Sequence, residues 1–90
     1  MTGHQEPRFP PRGRKLVYVQ LADELAKRIE DGIYPPEGRL PAELDLVAEF
    51  GASRESVRRA VAELRRRGLI ETVKGKGSFI LPENERTPQE

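Results

Sequence analysis

Ninety residues, 36% hydrophobic and 34% charged, suffice for one small folded domain and leave little room for a second core. The lack of cysteine excludes disulfides, thiolate metal sites and cysteine nucleophiles, and no run approaches the roughly 18 apolar residues that span a bilayer. The net charge of +1 conceals a segregation: residues 21–50 carry three basic and eight acidic side chains, residues 51–77 eight basic and three acidic. Such an asymmetry suggests one side built to face a polyanion.

The opening MTGHQEPRFPPRGRK lacks the apolar core of a signal peptide, so a cytoplasmic location is expected. Pro7, Pro10 and Pro11, with Gly13 and the bases Arg8, Arg12, Arg14 and Lys15, predict a flexible basic arm over residues 1–15. It is read either as a plain disordered tail or as an arm that lies along DNA. His4 falls in this arm and is expected to be a solvent-exposed bystander. No carboxylate pair is set beside a nucleophile or base, so an enzyme, a cofactor and a metal site are not expected.

The folded domain is expected over residues 16–81. Val17, Leu21, Leu25 and Ile29 recur every fourth residue, with Ala22 and Ala26 beside them, and predict an amphipathic helix from Val17 to Asp31 ended by Gly32. The loop IYPPEGRLP follows, in which Arg39 and Leu40 suit a short strand. A second helix is predicted from Ala42 to Phe50, with Leu44, Val47, Ala48 and Phe50 apolar and Pro41 suited to its first turn. Glu43 and Asp45 suit the positive end of its dipole. Gly51-Ala52 then breaks the chain before a third helix, SRESVRRAVAELRRRG, capped by Ser53 and closed by Gly68.

In that third helix Val57, Ala60, Val61 and Leu64 form one apolar stripe, and Glu55, Arg58, Arg59, Ala62 and Arg66 fall opposite. Past Gly68 the period drops to two. Leu69–Val73 and Ser78–Leu81 read as strands joined by the turn Lys74-Gly75-Lys76-Gly77. Residues 82–90 are polar and proline-bearing and read as a flexible tail or linker. The order predicts a mainly α fold with a small β-hairpin wing: a winged helix-turn-helix of three helices plus a short antiparallel sheet.

In such a unit the third helix fits a major groove and its first residues reach base edges. Arg54 and Arg58, one turn apart, are the candidates for guanine, because a guanidinium donates two parallel bonds to O6 and N7. Ser53, Ser56, Arg59, Lys74 and Lys76, with the N–H groups of Gly75 and Gly77, suit phosphates, which set register. Arg65, Arg66 and Arg67 lie far from the reading end, where backbone contact or plain solvation is expected.

Over residues 18–80 the chain resembles the N-terminal DNA-binding domain of GntR-family bacterial transcription regulators. The matching marks are Tyr18-Val19-Gln20, Gly32-Ile33-Tyr34 with Pro36, Leu40-Pro41 with Glu43, Phe50-Gly51, Ser53-Arg54, Val57-Arg58, Ala60, Leu64, Gly68-Leu69-Ile70, and Gly75 and Gly77 before Phe79. The resemblance implies a sequence-specific regulator of double-stranded DNA, expected to repress, that reads a short palindrome. By the same resemblance Arg54 and Arg58 read guanines, Ser53, Glu55 and Ser56 lie at phosphates, and Lys74 or Gly75 reaches the minor groove.

Four departures accompany it. Glu37 stands where the family usually has the loop glycine, and Ala42 replaces a frequent capping serine. Leu44 occupies a position that in the family is often polar or arginine and contacts DNA, a contact that leucine is not expected to make in the same way. Glu55 beside a phosphate is unfavourable unless it pairs with Arg54, Arg58 or Arg59. Family members normally add a C-terminal sensing and dimerising domain; without one, a monomer or weak dimer in solution is expected, a homodimer on DNA, and no small-molecule effector within this chain. A winged-helix module that binds an acidic protein surface is the alternative reading.

Overall fold

Five apolar residues on one side of helix α1 (Val17–Glu30) set the core: Leu21, Ala22, Leu25, Ala26 and Ile29 are buried, and Val17 is half-buried. The computed structural model describes residues 16–86; the arm expected over 1–15, with His4, and the last four residues of the tail lie outside that range. α1 ends as its sequence predicts. Gly32 takes φ 80°, and the Ile33 N–H donates to the Arg28 carbonyl at 2.9 Å, the closure that a left-handed residue after the last turn permits.

The loop that follows contains the only described non-glycine residue with positive φ, Glu37 at 66°. This is the position where a glycine is usual in the resembling family. Glu37 occupies the left-handed region, where its N–H donates to the Ile80 carbonyl at 2.7 Å. Arg39 then forms a single antiparallel bridge to Phe79, and the Leu40 N–H donates to the Ser78 carbonyl at 2.9 Å. The short strand expected at Arg39-Leu40 is thus one bridge long, and it adds a third edge to the hairpin.

Helix α2 (Glu43–Phe50) starts one residue later than predicted. Ala42 is its N-cap, extended at ψ 158° and without a side-chain bond, so Pro41 precedes the cap instead of opening the first turn. Leu46 and Phe50 are buried, whereas Leu44, grouped with the apolar face from sequence, is 63% exposed. Eight residues make about two turns, too few for the period to choose between registers. Gly51 at φ 64° ends α2, its N–H bonded to the Val47 carbonyl at 2.9 Å.

Helix α3 (Arg54–Arg66) buries Val57, Ala60 and Leu64 against α1 and α2. Strands β1 (Ile70–Val73) and β2 (Gly77–Ile80) pair antiparallel, with Ile70 opposite Ile80 and Val73 opposite Gly77. Ile70, Ile80 and Leu40 complete the core from the wing side. Three helices and a two-stranded sheet make the predicted winged helix-turn-helix. Beyond it, Glu83–Glu85 form one 3-10 turn, and the Arg86 Nε donates to the Leu81 carbonyl at 2.9 Å. No described helix is long and apolar enough to cross a membrane.

Two arginines bolt the helices together. Arg28 on α1 reaches Glu49 of α2 at 2.8 Å and the Tyr34 hydroxyl at 2.9 Å, and its guanidinium lies 4.6 Å from the centre of the Phe50 ring. Arg67, just past α3, donates to Asp23 of α1 at 2.8 Å and to Glu63 at 2.9 Å. Arg66 also donates to Glu63, at 2.6 Å. Of the two expectations for the triple arginine, backbone contact or plain solvation, the second fails for Arg67, which is half-buried between two carboxylates.

Two outcomes follow from these contacts. Replacing Glu37 with glycine relieves the left-handed strain, and the gain exceeds the added freedom of the unfolded chain. Glu37→Gly should raise stability by about 0.5–1 kcal/mol in urea unfolding. The bonds from Arg66 and Arg67 lower the Glu63 pKa from 4.5 to about 2. The folded state therefore holds this proton less tightly than the unfolded chain. The stabilisation is full above pH 4.5 and is lost as pH falls towards 2. Glu63→Gln should flatten this acid limb, on the order of 1–2 kcal/mol, in melts recorded from pH 6 to 2.

Candidate nucleic-acid interface

The start of α3 is built by a local cap. Ser53 is extended, its Oγ accepts the Ser56 N–H at 3.0 Å, and it donates to the Ser56 Oγ at 3.1 Å. That capping bond was legible in the sequence. It fixes the first turn and presents Arg54, Glu55 and Arg58 to solvent. Glu55 sits where the positive end of the helix dipole suits a carboxylate. Among the described residues it has no ion-pair partner, because Arg54 and Arg58 go to Glu43 and Arg59 lies over Tyr18.

Glu43, the first residue of α2, is the feature that sequence reasoning missed at this site. Its Oε1 accepts from Arg54 Nε and Nη2 at 3.3 and 3.2 Å, and its Oε2 accepts from Arg58 Nε at 3.0 Å. Each carboxylate oxygen thus holds one guanidinium. Glu43 is 29% exposed, whereas Arg54 and Arg58 are 61% and 59% exposed. The two arginines lie side by side on a half-buried anchor with their outer edges free. In sequence Glu43 looked like a dipole-stabilising acid, and only an inter-helix contact could assign it otherwise.

The remaining arginines divide by angle around α3. At 100° per residue, Arg54, Arg58 and Arg65 share one stripe, which flanks α2 and the wing. Arg59 and Arg66 lie on the other flank, where the Arg59 guanidinium sits 4.4 Å from the centre of the Tyr18 ring on α1. That contact parks Arg59 away from the Arg54–Arg58 pair. Arg65 Nη1 donates to the Thr72 hydroxyl at 2.8 Å, and Thr72 and Ser78 hydroxyls share a bond of 2.9 Å across the sheet. The stripe therefore runs from the helix start onto the wing.

At the wing tip Gly75 and Gly77 take φ 79° and 111°, conformations that let Lys74, Gly75 and Lys76 turn within three residues. Both lysines are exposed. Arg39 braces this tip: its Nη2 donates to the Lys76 carbonyl, and its guanidinium lies over Gly77. A Cβ added at Gly77 would meet Arg39 Nε at 2.9 Å. Between tip and helix lies an open notch of about 420 Å³ bordered by Arg39, Glu43, Arg58, Arg65 and Ser78. Ser53, Glu55, Ser56, Arg54 and Arg58 cluster at the helix start, while Lys74, Gly75, Lys76 and Gly77 form the wing tip on the far side of the notch.

Residues 17–80 match the family described as bacterial regulatory proteins, gntR family. The chain belongs to that family. It is 39% identical over 77 residues to an uncharacterized HTH-type transcriptional regulator of Mycobacterium tuberculosis, covering 86% of this chain and 32% of that protein. It is 36% identical over 76 residues to the histidine utilization repressor of Klebsiella aerogenes, covering 84% of this chain and 30% of the repressor. The chain thus spans about a third of the length of these relatives. Its fold superposes on the crystal structure of AraR(DBD) in complex with operator ORR3 with a TM-score of 0.66 at 32% identity, covering 79% of this chain and 89% of that one.

The brace at Gly77 gives a direct expectation. Gly77→Ala puts a side chain at φ 111° and displaces Arg39. Stability should fall by about 1–3 kcal/mol, and amide exchange should accelerate first in the turn from Lys74 to Gly77. Gly32→Ala, with the same sign of φ but open space around it, should leave wing exchange unchanged.

Proposed function

We propose that this chain is the sequence-specific DNA-binding part of a transcription regulator that represses by occupying a palindromic operator. The observation that carries the reading is the pair of exposed guanidiniums, Arg54 and Arg58, held together by one carboxylate at the start of α3. Two arginines one turn apart, presented from a helix whose back is buried, suit two guanines in a major groove, each through paired bonds to O6 and N7. Ser53, Ser56 and Arg59 then lie at the flanking phosphates, while Glu55, which pairs with none of the neighbouring arginines, is held off them by charge repulsion, and Lys74, Gly75, Lys76 and Gly77 carry the wing tip to the neighbouring minor groove. The likeness to AraR(DBD), crystallised with an operator, supports the same use of the fold. Two chains, one per half-site, would occupy a palindrome. The relatives bear the names of a transcriptional regulator and a repressor, in keeping with a non-catalytic role.

Glu43 has a defined part in this reading. Its carboxylate fixes both guanidiniums before DNA arrives, and it repels phosphate wherever the arginines are not satisfied by bases. It therefore sharpens the difference between right and wrong sequences at some cost in total affinity.

Selection of duplexes from a random pool tests the proposal. A palindrome with a conserved guanine step in each half should emerge. On it, Arg54→Ala or Arg58→Ala should lose about 5- to 150-fold of the preference over scrambled duplex. Lys74→Ala should instead weaken all duplexes alike and reduce the salt slope by about one. Equal affinity for every duplex, or for none, refutes the reading. Glu43→Gln should bind scrambled duplex more tightly and discriminate less. Its unfolding free energy should stay within about 0.5–1 kcal/mol of the parent, as expected for a pair this exposed.

A further inference from the structure

The three arginines at the end of α3 do not share a fate. Arg66 and Arg67 both donate to Glu63, whereas Arg65 turns to the wing and gives its Nη1 to the Thr72 hydroxyl at 2.8 Å. Thr72 in turn shares a bond of 2.9 Å with the Ser78 hydroxyl on the facing strand. Arg39, from the loop before α2, gives its Nη2 to the Lys76 carbonyl. Arg39 and Arg65 thus each commit one nitrogen to the hairpin, and both stay exposed on the border of the notch between α3 and the wing. Their remaining guanidinium N–H groups have no partner among the described residues. A guanidinium anchored at one corner can still present paired N–H groups to an anion. The acid that borders the notch, Glu43, already fills both carboxylate oxygens with Arg54 and Arg58, so the notch is left electropositive.

We infer that the notch is a phosphate subsite, in which Arg65 and Arg39 grip the strand of DNA backbone that runs between the two grooves. The inference rests on the DNA-binding reading above. A helix start in a major groove and a wing tip in the adjacent minor groove have one sugar–phosphate strand between them, and the notch is the space that strand crosses. The depth agrees. Thr72 lies two residues back from Lys74 and three from Gly75, about 7–10 Å at ~3.3 Å per residue, and a minor groove is about 7.5 Å deep. With the wing tip at the groove floor, the Arg65 guanidinium on Thr72 stands level with the phosphates at the rim. A phosphate there accepts from both guanidiniums through charge-assisted bonds. Such a contact carries no base preference. It makes Arg65 and Arg39 positioning residues, which fix the register in which the Arg54–Arg58 pair meets the bases.

The test uses the preferred duplex from the random pool and replaces each phosphate of one half-site in turn by a neutral methylphosphonate. At one or two adjacent phosphates, between the guanine step and the minor groove taken by the wing, the replacement should weaken binding of the parent chain about two- to fivefold, the range of an exposed ion pair. In Arg65→Ala and in Arg39→Ala the same replacement should have no further effect. Arg65→Ala should also bind every duplex less tightly, with a salt slope reduced by about one. Arg66→Ala, which removes an exposed charge from the other flank of α3, should keep the parent's pattern of sensitive phosphates. Arg65→Ala should unfold near the parent's midpoint, since its bond to Thr72 lies at the surface. The inference is overturned if no phosphate in that stretch weakens the parent, or if Arg65→Ala or Arg39→Ala keeps the parent's pattern. Failure to select any preferred duplex would instead refute the DNA-binding reading itself, and this inference with it.

Discussion

The burial of α3 against α1 is the constraint on which the rest of the molecule depends. Leu21, Leu25 and Ile29 from one helix and Val57 and Leu64 from the other are withdrawn from water, with Ala22, Ala26 and Ala60 between them. Full burial of an aliphatic side chain of this size contributes about 1.5–3 kcal/mol. Small residues at the seam let the axes approach without a void. Once α3 is pinned along one stripe, the outward direction of Arg54, Arg58, Arg59 and Arg65 follows from helical geometry alone. The same pinning tells α2 where to put Glu43.

Charge is organised in two tiers over that scaffold. Arg28 and Arg67 are half-buried, and each spans helices through paired carboxylates on opposing elements. Losing one partner there would leave a poorly solvated charge behind, a larger penalty than the net value of the pair. Arg54, Arg58, Lys74 and Lys76 are exposed instead. Their charge is available to a partner, and only the first two are held in place. The segregation of charge along the sequence thus becomes a spatial one: structural ion pairs towards α1, available cations along α3 and the wing.

What could be read from the sequence was what depends on neighbours in the chain. The Ser53 cap, the Gly68 closure at φ 79° and the stripe of Val57, Ala60 and Leu64 are all set within one helix, and each stood where the spacing placed it. The hairpin was legible for the same reason, to within one residue at the ends of its strands. Contacts between elements were not legible. Glu43 is 11 and 15 residues from its two arginines, and Arg67 is 44 residues from Asp23. Nothing in composition marks such partners. In α2 the period itself was ambiguous, so Leu46 was passed over as a core residue and Leu44 was grouped with the apolar face. The departure at Glu37 was visible as a sequence oddity, but only the backbone shows that the loop absorbs it as left-handed strain.

The brace from Arg39 to the Lys76 carbonyl has an entropic consequence. A hairpin of two four-residue strands is marginal by itself and would sample many orientations. Here its base is sewn to the loop before α2 through Glu37, Leu40 and Ile80, and its tip is held through Arg39. Helix and wing therefore form one stiff body, and the ordering cost of the wing is incurred during folding. A partner that meets both surfaces at once finds them already at a fixed separation, so the second contact forms at little further loss of freedom. The spacing between helix start and wing tip then acts as a ruler: a partner whose two features are set at another distance can engage one surface or the other, but not both.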